Sequence, residues 1–171
     1  MKVVLVGYMA SGKSSVGQAL ANSLDIDFLD LDTLIEEKVG MPIPQIFSER
    51  GEIFFRKKEY EILQDILREK DSMVLSTGGG TPCYGNNMQA ILDFSDLCIY
   101  LQLSIPSLVE RISREKHTRP LVQDIKDEDL PEFIGKHLFE RRNFYMQSDK
   151  TIAMDDKSIL EVVNEIKKVL I

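Results

Sequence analysis

Gly7-Tyr8-Met9-Ala10-Ser11-Gly12-Lys13-Ser14 stands between an apolar run, Val3–Val6, and a stretch in which Val16, Leu20 and Leu24 recur every fourth residue. The spacing G-x-x-x-x-G-K-[ST], with a strand before it and an amphipathic helix after it, is that of a phosphate-binding loop. Gly7 and Gly12 allow tight turns that bring backbone N–H groups against phosphate oxygens. The helix starting near Lys13 points its positive end at the same anion. Lys13 then neutralises the β- and γ-phosphates of a nucleotide, and the Ser14 hydroxyl is suited to ligating magnesium.

Working outward, further apolar runs of strand length lie at Phe28–Leu31, Met73–Ser76, Leu97–Leu101 and Thr151–Met154. They do not alternate with polar residues, which predicts strands buried on both faces of a parallel sheet. Helical patterns separate them: Phe54, Phe55, Ile62, Leu63, Ile66 and Leu67 share one stripe, and Ile159, Val162, Val163, Ile166 and Leu170 another. Ser158 and Glu161 predict a capping box at the start of the last helix. Strand and helix in alternation give an α/β fold with helices on both faces of a central five-stranded parallel sheet. Ligands of such sheets bind beyond the carboxyl ends of the strands, where every motif below falls.

The 171 residues fit a single domain, 1–171, and no repeat or linker divides them. A net charge of −7 argues against nucleic acid and anionic membranes, which demand a dense cationic surface. No apolar run nears the roughly 20 residues needed to span a bilayer. The apolar start reads as a buried strand rather than a signal peptide, so a cytoplasmic protein is expected. Cys83 and Cys98 suit neither a zinc site nor a redox pair. The polar, acidic stretch 117–131 is irregular enough to be a lid or a surface loop.

A phosphate-binding loop establishes nucleotide binding and leaves the reaction open. No N-K-x-D-type element for reading guanine is present. Asp30-Leu31-Asp32 follows the second strand, and in an extended stretch both carboxylates face the same way. One is suited to magnesium, the other to accepting a proton from an attacking hydroxyl; the competing reading makes Asp32 the cap of a helix over Thr33–Val39. Gly78-Gly79-Gly80 after the third strand implies either close approach to a ligand or a tight turn. Arg56, Arg119 and Arg141 suit anion binding through their planar forks, but composition does not select them among the chain's arginines.

Together these residues resemble the shikimate kinase family, in order and along nearly the whole chain. The resemblance rests on GYMASGKSSVG, on Asp30-Leu31-Asp32-Thr33-Leu34-Ile35-Glu36, and on Ile43 through Glu59 with Phe55-Arg56-Lys57-Lys58-Glu59 at its end. It continues through Gly78-Gly79-Gly80, Arg119-Pro120-Leu121, and Arg141 four residues before Tyr145. The resemblance implies a three-layer P-loop kinase fold with a mobile lid over 112–130 and an acceptor-binding region over 32–60. It implies transfer of a phosphoryl group from ATP to the 3-hydroxyl of shikimate, in aromatic amino-acid biosynthesis, with Mg2+ as cofactor. Lys13, Asp32 and Arg119 would be catalytic. Gly7, Ala10, Ser11, Gly12, Lys13, Ser14, Ser15, Arg111 and Arg119 would bind ATP. Asp32, Arg56, Gly78, Gly79, Gly80 and Arg141 would bind shikimate, and Ser14 and Asp30 would serve the metal. A monomer working on shikimate and ATP, without nucleic acid or membrane, is the expectation.

Three positions depart from the family pattern. Ala10 replaces a usual glycine, Ser15 a common threonine, and Met154-Asp155-Asp156-Lys157 carries no family arginine on the adenine side. The alternatives weighed are another small-metabolite kinase such as a gluconate kinase, a nucleoside monophosphate kinase, and a P-loop regulator that transfers nothing.

Overall fold

The computed structural model describes residues 1–171. Five strands form one sheet: β1 (Lys2–Val6), β2 (Phe28–Asp30), β3 (Met73–Ser76), β4 (Leu97–Gln102) and β5 (Lys150–Ala153). Their order is β2-β3-β1-β4-β5 and every pairing is parallel, with Val4 opposite Leu75 on one side and Cys98 on the other. Val3 to Val6 and Met73 to Leu75 are fully buried, as expected for strands covered on both faces.

The helices are α1 (Lys13–Leu24), α2 (Leu31–Val39), α3 (Ile43–Arg50), α4 (Glu52–Glu69), α5 (Asn87–Phe94), α6 (Ile105–Glu115), α7 (Leu130–Tyr145) and α8 (Ile159–Val169). They cover both faces of the sheet; α1 packs against α8, α4 against α5, and α6 against α7. The Ser158–Glu161 capping box forms as expected, with the Ser158 hydroxyl accepting from the Glu161 N–H and the Glu161 carboxylate accepting from the Ser158 N–H. At Gly17, α1 lies so close to β2 that a side-chain carbon would stand 2.6 Å from the Phe28 ring.

Two local readings need correction. Asp30, not Asp32, caps α2: its carboxylate accepts from the Thr33 N–H at 3.2 Å. The chain passes from β2 into α2 without a loop, so Asp32 sits in the first helical turn rather than in an extended stretch. Arg56 lies in the second turn of α4, which begins at Glu52. The stretch after α6 holds two short 3-10 turns, Lys116–Thr118 and Asp127–Asp129. Val122 anchors it as a fully buried residue, and Lys116 Nζ ties it to the Ile125 carbonyl at 2.8 Å and to Asp127 at 2.7 Å.

Candidate active site

The loop from Gly7 to Gly12 emerges from the carboxyl end of β1, in the middle of the sheet. Gly7 has φ +150° and a side-chain carbon there would stand 2.7 Å from the Leu101 carbonyl oxygen; Gly12, at φ +96°, precedes the first turn of α1. No side chain caps α1, so its amino end presents bare N–H groups to the cleft. Lys13 folds its ammonium back over the loop, donating to the Gly7 carbonyl at 2.7 Å and the Tyr8 carbonyl at 2.9 Å. Burial pulls its pKa down to about 8, against the pull of Asp32 in the other direction.

The Ser14 hydroxyl donates to Asp30 Oδ2 at 2.7 Å while the other oxygen of Asp30 caps α2. One carboxylate therefore joins the start of α1 to the start of α2. Asp32 lies two residues further on, within the first turn of α2. Burial, reinforced by the neighbouring carboxylates of Asp30 and Glu59, pushes its pKa up to about 6.

The three glycines explain how the motifs meet. A side-chain carbon at Gly78 would stand 2.9 Å from Asp32 Oδ1. At Gly79 it would stand 3.2 Å from the Met9 nitrogen of the phosphate loop and 3.3 Å from Arg141 Nη1. At Gly80 it would stand 2.8 Å from Arg56 Nη2 and 3.2 Å from Arg141 Nη2. The absence of side chains from these residues is what lets a carboxylate, two guanidinium groups and the phosphate loop converge on one segment of backbone.

Arg56 is held by a buried partner. Arg56 Nη1 donates to Glu59 Oε1 at 2.8 Å, and Glu59, 1% exposed, accepts from the Thr81 hydroxyl at 2.9 Å. Arg141 lies beside Tyr145, whose hydroxyl donates to the Gly79 carbonyl. Another turn back on α7, His137 Nδ1 is 2.9 Å from the hydroxyl of Tyr8 in the phosphate loop. Burial lowers the His137 pKa to about 4, which keeps that imidazole neutral.

A cleft of about 510 Å³ lies over the loop, lined among others by Ala10, Gly12, Lys13, Ser14, Ser15, Asp30, Asp32, Gly78, Gly79, Arg111 and Arg119. Ser11 is buried in the loop beneath it. Arg111 Nη1 donates to the Ala10 carbonyl at 3.1 Å, and Arg119 donates through Nε and Nη2 to Glu115. Gly7 lies with Ser11 in the buried part of the loop, and the other site residues expected from sequence line this cleft or belong to the glycine segment and the two arginines beside it. Sequence reasoning missed Thr81, Tyr84, His137 and the buried role of Glu59. The only local signal was the three-residue interval from Arg56 to Glu59, which places both on one helical face.

The chain matches the sequence model described as shikimate kinase over residues 9–171. It is 45% identical over 169 residues to shikimate kinase of Flavobacterium psychrophilum, covering 99% of this chain and 98% of that one. A crystal structure of shikimate kinase from Bacteroides thetaiotaomicron superposes with a TM-score of 0.92 at 33% identity, covering 99% and 98% of the two chains. Shikimate kinase from Acinetobacter baumannii in complex with shikimate gives a TM-score of 0.89 at 30% identity, covering 99% and 92%. A match of this extent, on a fold that independently assembles the loop, the carboxylates and the arginines, places the chain in the shikimate kinase family.

Proposed function

We infer that this protein is a shikimate kinase: it transfers the γ-phosphoryl group of ATP to the 3-hydroxyl of shikimate, giving shikimate 3-phosphate and ADP. The observation that carries this reading is the convergence of Asp32, Arg56 and Arg141 on Gly78–Gly80, directly beside Met9 of the phosphate loop. Family membership and the relative with shikimate bound support the choice of acceptor.

In this reading the loop amides from Gly7 to Ser15 cradle the triphosphate, and Lys13 exchanges its loop carbonyls for phosphate oxygens. Arg56 and Arg141 grip the acceptor carboxylate, with Gly79 and Gly80 against its hydroxyl groups. Asp32 hydrogen-bonds the attacking hydroxyl and takes its proton; a carboxylate titrating near pH 6 is charged at neutrality yet basic enough for that work. Arg119 arrives with the segment 112–130 over the transferring group, and Arg111 flanks the adenine. Transfer of this kind is mainly positioning and charge neutralisation.

Ser14 and Asp30 offer a hydroxyl and a carboxylate in hydrogen-bonding contact, a hard-oxygen pair that suits Mg2+ retaining water and phosphate ligands. No cluster of three or more acidic, histidine or cysteine side chains forms a cage of its own, which fits an ion carried in with the nucleotide. Bound there, magnesium supplies charge neutralisation along the phosphates.

The region 32–60 is the acceptor-binding part of a single domain, 1–171. Both cysteines are free, which supports a cytoplasmic location. No helix is long and apolar enough to cross a membrane.

A coupled ADP-release assay over shikimate, gluconate, quinate and nucleoside monophosphates tests the reading. Turnover with shikimate far above the others is expected. A kcat/KM for gluconate or a nucleotide equal to that for shikimate would overturn it.

A further inference from the structure

Tyr84 belongs to no motif of the loop, the carboxylates or the arginines, yet it meets the site. It follows the short 3-10 turn Thr81–Cys83, and Gly85 after it turns the chain away at φ +52°. Its ring lies over the Arg56 guanidinium, with the Arg56 Cζ 3.8 Å from the ring centroid; Phe55 stands at 5.0 Å from the same carbon. Apart from the more distant Phe55 ring, the restraints on Arg56 act on its edges: Glu59 takes Nη1 at 2.8 Å, and Nη2 faces Gly80. Nε is buried without a hydrogen-bond partner, the Glu52 carboxylate being 3.8 Å away. Edge contacts fix where the guanidinium sits. They do not fix the tilt of its plane, because rotation about the Glu59 hydrogen bond leaves that bond intact.

A fork that grips a carboxylate through two parallel N–H groups depends on that tilt. We propose that Tyr84 is a positioning residue for shikimate: its ring face sets the plane of Arg56 before the acceptor arrives. The segment 78–84 then acts as one unit, with Gly80 giving room, Thr81 holding Glu59, and Tyr84 orienting the cation. The face of the ring does this work, through the attraction of a cation to π density, so the hydroxyl is not required. This rests on the reading of Arg56 as the acceptor's carboxylate clamp.

Steady-state kinetics of Tyr84→Ala, Tyr84→Leu and Tyr84→Phe, with melting temperatures, test it. In both Ala and Leu variants the KM for shikimate is expected to rise by about 5- to 10-fold, the loss of one partly desolvated cation–π contact. The KM for ATP and kcat should stay within about twofold of the parent, and Tyr84→Phe should restore the parent KM for shikimate. Should Tyr84→Ala melt early, the Leu and Phe pair carries the test, since both keep the bulk of the side chain. An unchanged shikimate KM in the Leu variant overturns the proposal, as does a Phe variant as impaired as Leu, or a rise shared equally by ATP. A parent enzyme silent on shikimate would overturn the functional reading and this inference together. A parent active on shikimate with an indifferent Leu variant overturns this inference alone.

Discussion

Two arginines in the cleft region pair with glutamates three or four residues away, and the two pairs are built in opposite ways. Arg56 meets Glu59 at 2.8 Å with side chains 19% and 1% exposed. Arg119 meets Glu115 at 2.7 Å with side chains 30% and 53% exposed. Glu59 has a second donor in Thr81 and no access to water, so releasing Arg56 would strand a buried carboxylate. Glu115 loses little by releasing Arg119, because water replaces the guanidinium. Under the proposed function, opposite requirements account for the difference. An acceptor clamp works best fixed in advance, whereas a lid arginine has to trade its carboxylate for a phosphate once both substrates are in place.

This contrast presumes that both arginines serve one reaction centre, and removing the centre tests that most severely. Lys13→Met and Asp32→Asn are each expected to lower kcat by about 10²- to 10⁴-fold, measured in the coupled assay. Near-parent turnover in either folded variant would separate the arginines from the chemistry. The pH dependence follows from the same two groups. The kcat/KM for the free enzyme should fall below pH 6 as Asp32 protonates, and above pH 8 as Lys13 loses its proton. Stability runs the other way. Asp32 titrates in the folded chain near 6, above its unfolded value of about 3.9, so the folded state binds more protons between these values. Unfolding free energy should therefore drop as pH rises through that window. Lys13, pulled down from 10.5 to about 8, leaves the folded state with fewer protons between those values, so its contribution to stability recovers as pH climbs through them. Both charges weaken the fold near neutrality, and Asp32→Asn should raise the denaturation midpoint while lowering turnover, a gain in stability of ~1 kcal/mol.

The arginines themselves sharpen the contrast next. Arg119→Ala should lower kcat by about 10²- to 10³-fold with the KM for shikimate nearly unchanged, since its contact forms only over the transferring group. Arg56→Ala should instead weaken shikimate binding on the order of a hundredfold and leave ATP binding untouched, as read by calorimetry. Equal losses for both ligands with Arg56→Ala would erase the division between fixed and exchangeable cations.

The glutamates give a smaller effect and a cleaner separation. Glu59→Ala leaves the Thr81 hydroxyl and one edge of Arg56 without an acceptor and should cost about 3 kcal/mol of stability, together with a higher shikimate KM. Glu115→Ala should cost under ~1 kcal/mol and leave shikimate binding alone. Denaturant midpoints at constant m distinguish the two.

How far this division was legible in the sequence depends on the range of the interactions that make it. Strand β3 matches its apolar run residue for residue, because a strand buried on both faces leaves an unbroken hydrophobic signature. The phosphate loop was equally plain, its glycines and lysine being set by local backbone geometry. Asp30 and Asp32 were found as a pair, but the cap was sought at Asp32 and not at Asp30, because the sequence does not show that α2 starts directly at the end of β2. What sequence did not show are pairings across long intervals: Thr81 with Glu59 over 22 positions, Tyr145 with Gly79 over 66, Tyr8 with His137 over 129. Single side-chain contacts of that range create no period and no motif, so only the assembled fold reveals which arginine is fixed.

The mildest test concerns the joint between the fixed and the exchangeable halves. Ala10 lies at φ +62°, a left-handed conformation that an alanine methyl disfavours, in a loop position where the family usually has glycine. Its carbonyl accepts from Arg111 on α6, the helix that leads into the lid segment. The strained residue is thus also the one through which the loop holds α6. Ala10→Gly should relieve the strain and raise stability by about 0.5–1 kcal/mol, the left-handed penalty less the entropy that glycine adds to the unfolded chain. Because the carbonyl remains, the Arg111 contact remains, and the KM values for ATP and shikimate should both stay within about twofold. A stabilised variant whose ATP KM rose several-fold would mean that the methyl stiffens the cradle for the nucleotide. The fixed half would then include the donor side, and the line between the two halves would run along Arg111 rather than through the loop.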